Sequence, residues 1–149
     1  MKSIFNKQDA EEFIVRINQL TPTSQQIWGS MTVDKMLAHI QQPIRVAVGE
    51  YTPERTLFAK VIGGIAKRTL INEKPFRHNL RTDTSFIIKT ERDFEVEKRN
   101  AIQLIETLQS KGKEGVAKRK HPIFGKLTPE EWDMLTIKHL DHHLRQFGV

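Results

Sequence analysis

Apolar residues recur at helical spacing through most of the chain. The first apolar stripe predicts a helix over 10–20, which Thr21 and Pro22 end. The second predicts a helix with Thr32 as its N-cap, and Pro43 should kink it because proline lacks a backbone donor and crowds the preceding turn. The stripes are Ala10, Phe13, Ile14, Ile17 and Leu20, and then Val33, Met36, Leu37, Ile40, Ile44 and Ala47.

A third helix is predicted from Thr52 and Pro53, as N-cap and first helical residue. Its glycine pair at 63–64 would permit close approach of another helix, at some cost in helix stability. A polar loop over 72–84 and a short extended piece over 86–88 should follow. The third apolar stripe consists of Leu57, Phe58, Val61, Ile62 and Ile65.

Two more helices complete the pattern. One should begin near Glu91 and stop near Gly112, with Phe94, Ala101, Ile105 and Leu108 as its apolar face. After a basic loop and the sequence HPIFG (121–125), TPEE at 128–131 has the form of a capping box with proline at the first helical position. Long helices with polar connections predict an all-α fold, a helical bundle, as one domain over 1–149.

The composition limits which partners and which metal ligands the protein can use. No apolar run approaches the roughly 20 residues of a membrane helix, and the first residues lack the apolar core of a secretory signal, so we expect a cytoplasmic protein. Without cysteine, any metal must be held by histidine or carboxylate side chains. The net charge of +6 favours anionic partners mildly. Basic residues gather in KGKEGVAKRKH (111–121) and at Lys67, Arg68, Lys74, Arg77 and Arg81.

Three of the six histidines lie near the end of the last helix, in KHLDHHLRQFGV. His139 and His143 are four residues apart, so both should look along the edge of the apolar stripe, whereas His142 should face water. Two imidazoles one turn apart can converge on one ion, although they equally fit packing at the rim of a core. Leu140 stands where the HExxH motif requires glutamate, which excludes that motif. His39, at the rim of the second helix, is the best third ligand, since His78 and His121 fall in loops.

The same residues carry a family resemblance. A histidine on the second helix, followed on the last helix by HxxxH and then glutamine three residues later, resembles the DinB/YfiT-like metalloprotein superfamily; here these are His39, His139, His143 and Gln146. WGSMTVDKMLAHI (28–40), DFEVEK (93–98) and HPIFGKLTPEEWDMLTIKHLDHHLRQFGV (121–149) resemble a DinB-like branch classed as a domain of unknown function.

The resemblance implies a four-helix bundle with an additional short helical or loop segment, and often a homodimer. It implies that His39, His139 and His143 hold a divalent metal ion, zinc or nickel in the first place, with His142 and Gln146 as candidates for contact with the ligands. Better-understood relatives use such a site with a low-molecular-weight thiol, in transferase or isomerase chemistry. The expected substrate is a small molecule.

Three interpretations therefore stand. The first is a metal-dependent enzyme, either a small-thiol-dependent S-transferase or a hydrolase, because three neutral imidazoles leave a coordination position open. The second is a non-catalytic metal-binding or stress-response protein. The third is a basic nucleic-acid-binding module, which the scarcity of aromatic residues among the basic ones disfavours.

Overall fold

A computed structural model describes residues 2–52, 54, 57–80, 84–116 and 119–149, and only the backbone of residue 58. Within these residues the all-α prediction is confirmed, with one short antiparallel hairpin as the β-structure. The elements are α1 (Lys7–Gln19), α2 (Val33–Val48), α3 (Leu57–Leu70), a 3-10 turn (Thr84–Phe86), α4 (Phe94–Val116), β1 (Lys120–His121), β2 (Gly125–Lys126) and α5 (Pro129–Gln146).

Helices α1, α2, α4 and α5 form the bundle, in which α2 packs most extensively against α4. Each contributes its apolar stripe to one core, which removes that surface from water and stabilises the fold. The largest fully buried side chains include Phe13, Ile17, Met36, Ile40, Ile105, Leu108 and Trp132. The arrangement brings α2 and α5 side by side, and these are the helices that carry the candidate metal ligands.

The ends of α5 and α2 follow from local chemistry. At the start of α5 the Thr128 hydroxyl accepts from the Glu131 N–H, and the Glu131 carboxylate accepts from the Thr128 N–H, as the predicted capping box requires. Helix α2 continues through Pro43 and ends at Gly49, whose φ of 85° is left-handed. The Arg119 guanidinium packs against Gly49, and its side chain is only partly exposed. Lys118 of the same loop and Arg81 lie outside the described residues.

The apolar stripe of α3 is largely exposed to solvent. Leu57, Val61 and Ile65 are 80%, 79% and 73% exposed, so this apolar face points outward. A stripe shows that a helix has an apolar face, but not which element covers it. The predicted helix start at Pro53 lies outside the described residues, as does the side chain of Phe58.

The segment over 84–88 differs from expectation, whereas the HPIFG sequence forms a tight connecting turn. Instead of an extended piece, Thr84–Phe86 forms a single 3-10 turn that buries the Phe86 ring. HPIFG is the turn of the β1–β2 hairpin, with His121 and Phe124 buried. Both segments therefore place a buried aromatic ring over the bundle, beside α2 and α5.

Lys138 of α5 contacts both the end of α3 and the segment that follows it. The Lys138 ammonium donates to the Leu70 and Asn72 carbonyls at 2.6 and 2.7 Å. It also lies 4.5 Å from the centroid of the Phe76 ring. The ammonium lies at the C-terminal end of α3, where the negative end of the helix dipole attracts a positive charge. Lys138 thus holds the α3 end and Phe76 over the face of α5 that carries the histidines.

Candidate metal centre

The structure brings His39, His139 and His143 together. Each offers one ring nitrogen, and these three atoms lie within 4.8 Å of one another. His39 and His143 are buried, and His139 is partly exposed. His39 lies on α2 and the other two lie one turn apart on α5, so the packing of these two helices creates the group.

A backbone carbonyl fixes the ring of His39. Its Nδ1 lies 2.9 Å from the Phe86 carbonyl oxygen, which can only accept, so Nδ1 carries the proton. The neutral ring then presents the Nε2 lone pair to the other two histidines. A metal-binding histidine commonly donates its second N–H in this way to a carbonyl or carboxylate. Pro43, one turn further along α2, lacks the N–H that would bond the His39 carbonyl.

Gln146 plays the corresponding part for His143. The His143 Nδ1 lies 2.9 Å from the Gln146 Oε1, while the Gln146 Nε2 donates to the Trp28 carbonyl at 2.8 Å. The second bond fixes the orientation of the amide, so Oε1 is an acceptor and His143 Nδ1 is the donor. His143 therefore also presents Nε2. Sequence spacing placed Gln146 near His143, but nothing in the pattern indicated the Trp28 carbonyl.

The contact between the two helices suits a cation. His39 Nε2 and His139 Nε2 are 3.1 Å apart. Two nitrogens bound to one tetrahedral zinc at 2.0–2.1 Å would be about 3.3 Å apart. His39 Nε2 carries a lone pair and no proton. The lone pairs of the two nitrogens would repel each other unless His139 Nε2 is protonated or a cation lies between the two atoms. The donor set therefore fits a divalent ion that accepts imidazole nitrogen.

Burial keeps these imidazoles uncharged. Burial lowers the pKa of His39, although the hydrogen bond to Phe86 acts in the opposite direction. Burial and the neighbouring His143 and His39 hold the pKa of His139 well below its usual range. Burial, followed by His39, lowers the pKa of His143 to about 3. All three are thus in the neutral form, which is the form that binds metal.

The remaining histidines lie around this group. His142, predicted to face water, is partly buried against Trp28 and Phe76, at 5.7 and 5.9 Å between ring centroids, so that expectation is wrong. His78 is exposed but stacks on Trp28 at 3.9 Å. His121 Nδ1 accepts from the Ile123 N–H at 3.1 Å. None of these three belongs to the group of converging nitrogens in the described part of the chain.

Comparison with known proteins yields a family but no function. A family model described as "Protein of unknown function (DUF1569)" matches residues 3–148. No curated protein and no solved structure gives a significant match. Among the described residues, no helix combines the length and apolar character needed to cross a membrane.

Proposed function

We propose that this chain, which belongs to the family described as "Protein of unknown function (DUF1569)", is a metal-dependent enzyme acting on a small molecule. His39, His139 and His143 would hold a divalent cation, with zinc or nickel as first candidates. The observation that carries the proposal is the convergence of three imidazole nitrogens within 4.8 Å. We also propose that the family belongs to the DinB/YfiT-like superfamily, and the His39, HxxxH and Gln146 pattern described above supports this.

The arrangement supports catalysis more than a purely structural site. Three neutral ligands leave the charge of a divalent ion uncompensated and at least one coordination position for a further ligand, whereas structural zinc sites are closed by four protein ligands. Such an ion would act as a Lewis acid and favour the deprotonated, nucleophilic form of a coordinated water or thiol. The three histidines also line a cavity, which gives a reactant access to that position.

The neighbouring residues would hold this geometry. The Phe86 carbonyl and the Gln146 amide each bond the Nδ1 of a histidine and so direct its Nε2 towards the site. These partners raise the basicity of the ligand and restrict rotation of its ring. The α2–α5 packing fixes the distance between the helices, so the site is preorganised before any ion binds.

The proposal is tested by metal content. Protein made without a polyhistidine tag should contain close to one equivalent of divalent metal by elemental analysis. His39→Ala, His139→Ala and His143→Ala should each lose it, because the two remaining imidazoles form only a weak site. His142→Ala is the matched control and should retain the metal. Undiminished metal in His39→Ala would contradict a site shared by α2 and α5.

A further inference from the structure

The walls of the cavity beside the histidines are mainly apolar. The cavity has a volume of about 160 Å³. Among the described residues, its lining includes histidines but no lysine, arginine, aspartate or glutamate. Its main apolar walls are Met31, Pro43, Phe86, Ile123, Phe124 and Leu135.

Three of the five histidines in its lining are already hydrogen-bonded within the protein through Nδ1. His39 and His143 bond Phe86 and Gln146 through Nδ1, and the Nδ1 of His121 accepts from a backbone N–H. A bound ion would act on the single atom that it coordinates. A second charge elsewhere on the same molecule would face hydrocarbon, and burying an unpaired charge costs several kcal/mol or more.

The volume sets a similar limit. An apolar protein cavity of about 150 Å³ accommodates benzene. The cavity here is of the same size, so it suits a molecule of one ring or a comparable alkyl group. A tripeptide thiol with two carboxylates exceeds this volume, so its charged ends would have to extend past the rim at Leu80, and they would find no charged partner in the cavity.

Charged side chains line a different cavity. This outer cavity, of about 610 Å³, lies on the surface and is bordered by Arg16, Asp141 and Arg145 among others. Arg16 donates to Asp141 at 2.9 Å, so these charges pair with each other. Phe76 and His142 belong to the walls of both cavities and stand between them.

From the walls and the volume, we propose that the molecule bound beside the three histidines is small, uncharged apart from its coordinating atom, and largely apolar. It would offer one sulfur or oxygen atom to the ion, and its hydrocarbon part would fill the cavity. This substrate class rests on the proposed metal site. It disfavours large, multiply charged thiols as the partner and favours small aromatic or alkyl thiols, alcohols and carbonyl compounds.

The test uses cobalt(II)-substituted protein and thiols that differ only in charge. (4-Nitrophenyl)methanethiol and 4-(sulfanylmethyl)benzoate have nearly the same shape, but only the second carries a carboxylate. The neutral thiol should change the visible d–d bands at a concentration at least about tenfold lower than the carboxylate, because the carboxylate must be buried without a partner. Glutathione should cause no change at the concentration that saturates with the neutral thiol. Equal or tighter binding of the charged thiols would overturn the proposal.

A variant pair locates the bound molecule. Leu80 is 45% exposed and lines the cavity at its rim. Leu80→Lys should improve binding of 4-(sulfanylmethyl)benzoate about tenfold, because an ammonium would then face the carboxylate. Leu57→Lys makes the same change on the exposed face of α3, away from the cavity, and should have no effect. Equal affinities in the two variants would place the ligand elsewhere and overturn the proposal.

Failure of the metal site can be told apart from failure of the substrate class. Cobalt bands that are absent, or that persist in His143→Ala, would contradict the proposed function itself. The cavity is then tested alone, by titrating metal-free protein with toluene and with 4-toluenesulfonate and following the ligands by NMR. Toluene should bind and the sulfonate should not. Binding of the sulfonate, or of neither compound, would contradict the inferred class.

Discussion

Gln146 shows how a single buried amide can set the direction of a metal ligand. It connects His143 on α5 with the Trp28 carbonyl, which lies outside the helices. The backbone beside Trp28 packs so closely that a Cβ on Gly29 would lie 2.9 Å from the Gln146 Nε2. Gly29 also has a φ of 77°, which disfavours a side chain. The amide is therefore held from both ends.

We predict that Gln146→Leu weakens metal binding about 10–100-fold, because His143 loses the acceptor that fixes its tautomer. The fold should persist with a loss of about 1–3 kcal/mol, since the Trp28 carbonyl loses its donor. Competition with a chromophoric chelator measures the affinity, and urea unfolding measures the stability. Gln103→Leu, at an exposed position on α4, is the control. Equal affinities in the two variants would rule out a role for the amide in orienting His143.

The buried histidines should make the metal-free protein sensitive to mild acid. In the folded chain they stay neutral, with the pKa of His143 lowered to about 3. In the unfolded chain each binds a proton below about pH 6.5. The unfolded state therefore binds more protons over this interval, so the contribution to stability is fully present above about pH 6.5 and is lost as the pH falls towards 3.

We predict that the free energy of unfolding, measured in urea with a chelator present, falls between pH 7 and pH 5. Each neutral buried histidine adds up to about 1.4 kcal/mol per pH unit to this slope. His143→Gln should show a slope shallower by about that amount, while His78→Gln, at an exposed position, should match the parent. If the free energy of unfolding had the same pH dependence in the parent and in His143→Gln, His143 would titrate alike in the folded and unfolded states.

Among the elements, the end of α3 and the segment after it contact α5 through Lys138, in addition to the Lys67–Glu131 ion pair and the packing of Phe76 on His142. Burial lowers the pKa of this lysine, which reflects an ammonium partly removed from water and held by carbonyls. The cavity beside the three histidines is lined, from this part of the chain, by Leu70, Phe76 and Leu80. The lysine thus connects the end of one helix with the wall of the candidate site.

We predict that Lys138→Met loosens this wall. Methionine keeps the hydrocarbon stem but loses the donor, and hydrogen bonds to a charged group contribute about 1.5–3 kcal/mol. Amide hydrogen exchange over 69–76 should therefore accelerate about tenfold or more, with the core of α4 unchanged. Lys126→Met, at an exposed position, should leave the exchange unaltered. Unchanged exchange in Lys138→Met would show that the segment is held by other contacts.

The elements that the sequence predicts well are those whose own residues specify them. The capping box defines the start of α5, and the four-residue spacing of His139 and His143 defines a shared face, so both could be inferred before any tertiary contact was known. His39 on α2 was the best candidate for a third ligand from its position at the rim of that helix, and the resemblance supported its pairing with α5. The Phe86 carbonyl could not be inferred, because every residue carries one and only the tertiary fold chooses the one that meets His39.

For the molecule as a whole, the bundle of α1, α2, α4 and α5 carries the core, whereas the apolar face of α3 contributes little to it. Ile65 on α3 is 73% exposed, and Ile105 on α4 is fully buried. The same substitution at these two positions separates apolar character from burial. The helical pattern of the sequence does not distinguish the two residues, because it puts each of them on the apolar face of its helix.

We predict that Ile105→Ala destabilises the protein by about 2–5 kcal/mol, because it removes buried methyl groups and leaves a cavity. Ile65→Ala should change stability by no more than about 0.5 kcal/mol, because that side chain remains in water in both states. Urea unfolding of both variants makes the comparison. A loss of several kcal/mol in Ile65→Ala would mean that the α3 face is covered.

The ligand positions also have a consequence for chain entropy. His39 and His139 are 100 residues apart, so an ion held by both would close a loop spanning most of the chain. A cross-link over such a loop lowers the conformational entropy of the unfolded chain, which corresponds to about 4–5 kcal/mol of stabilisation of the folded state. His139 and His143 are four residues apart and close almost no loop. An ion held by these two alone would therefore restrict the unfolded chain little. His39 is therefore the ligand through which an ion would tie the early part of the chain to its end.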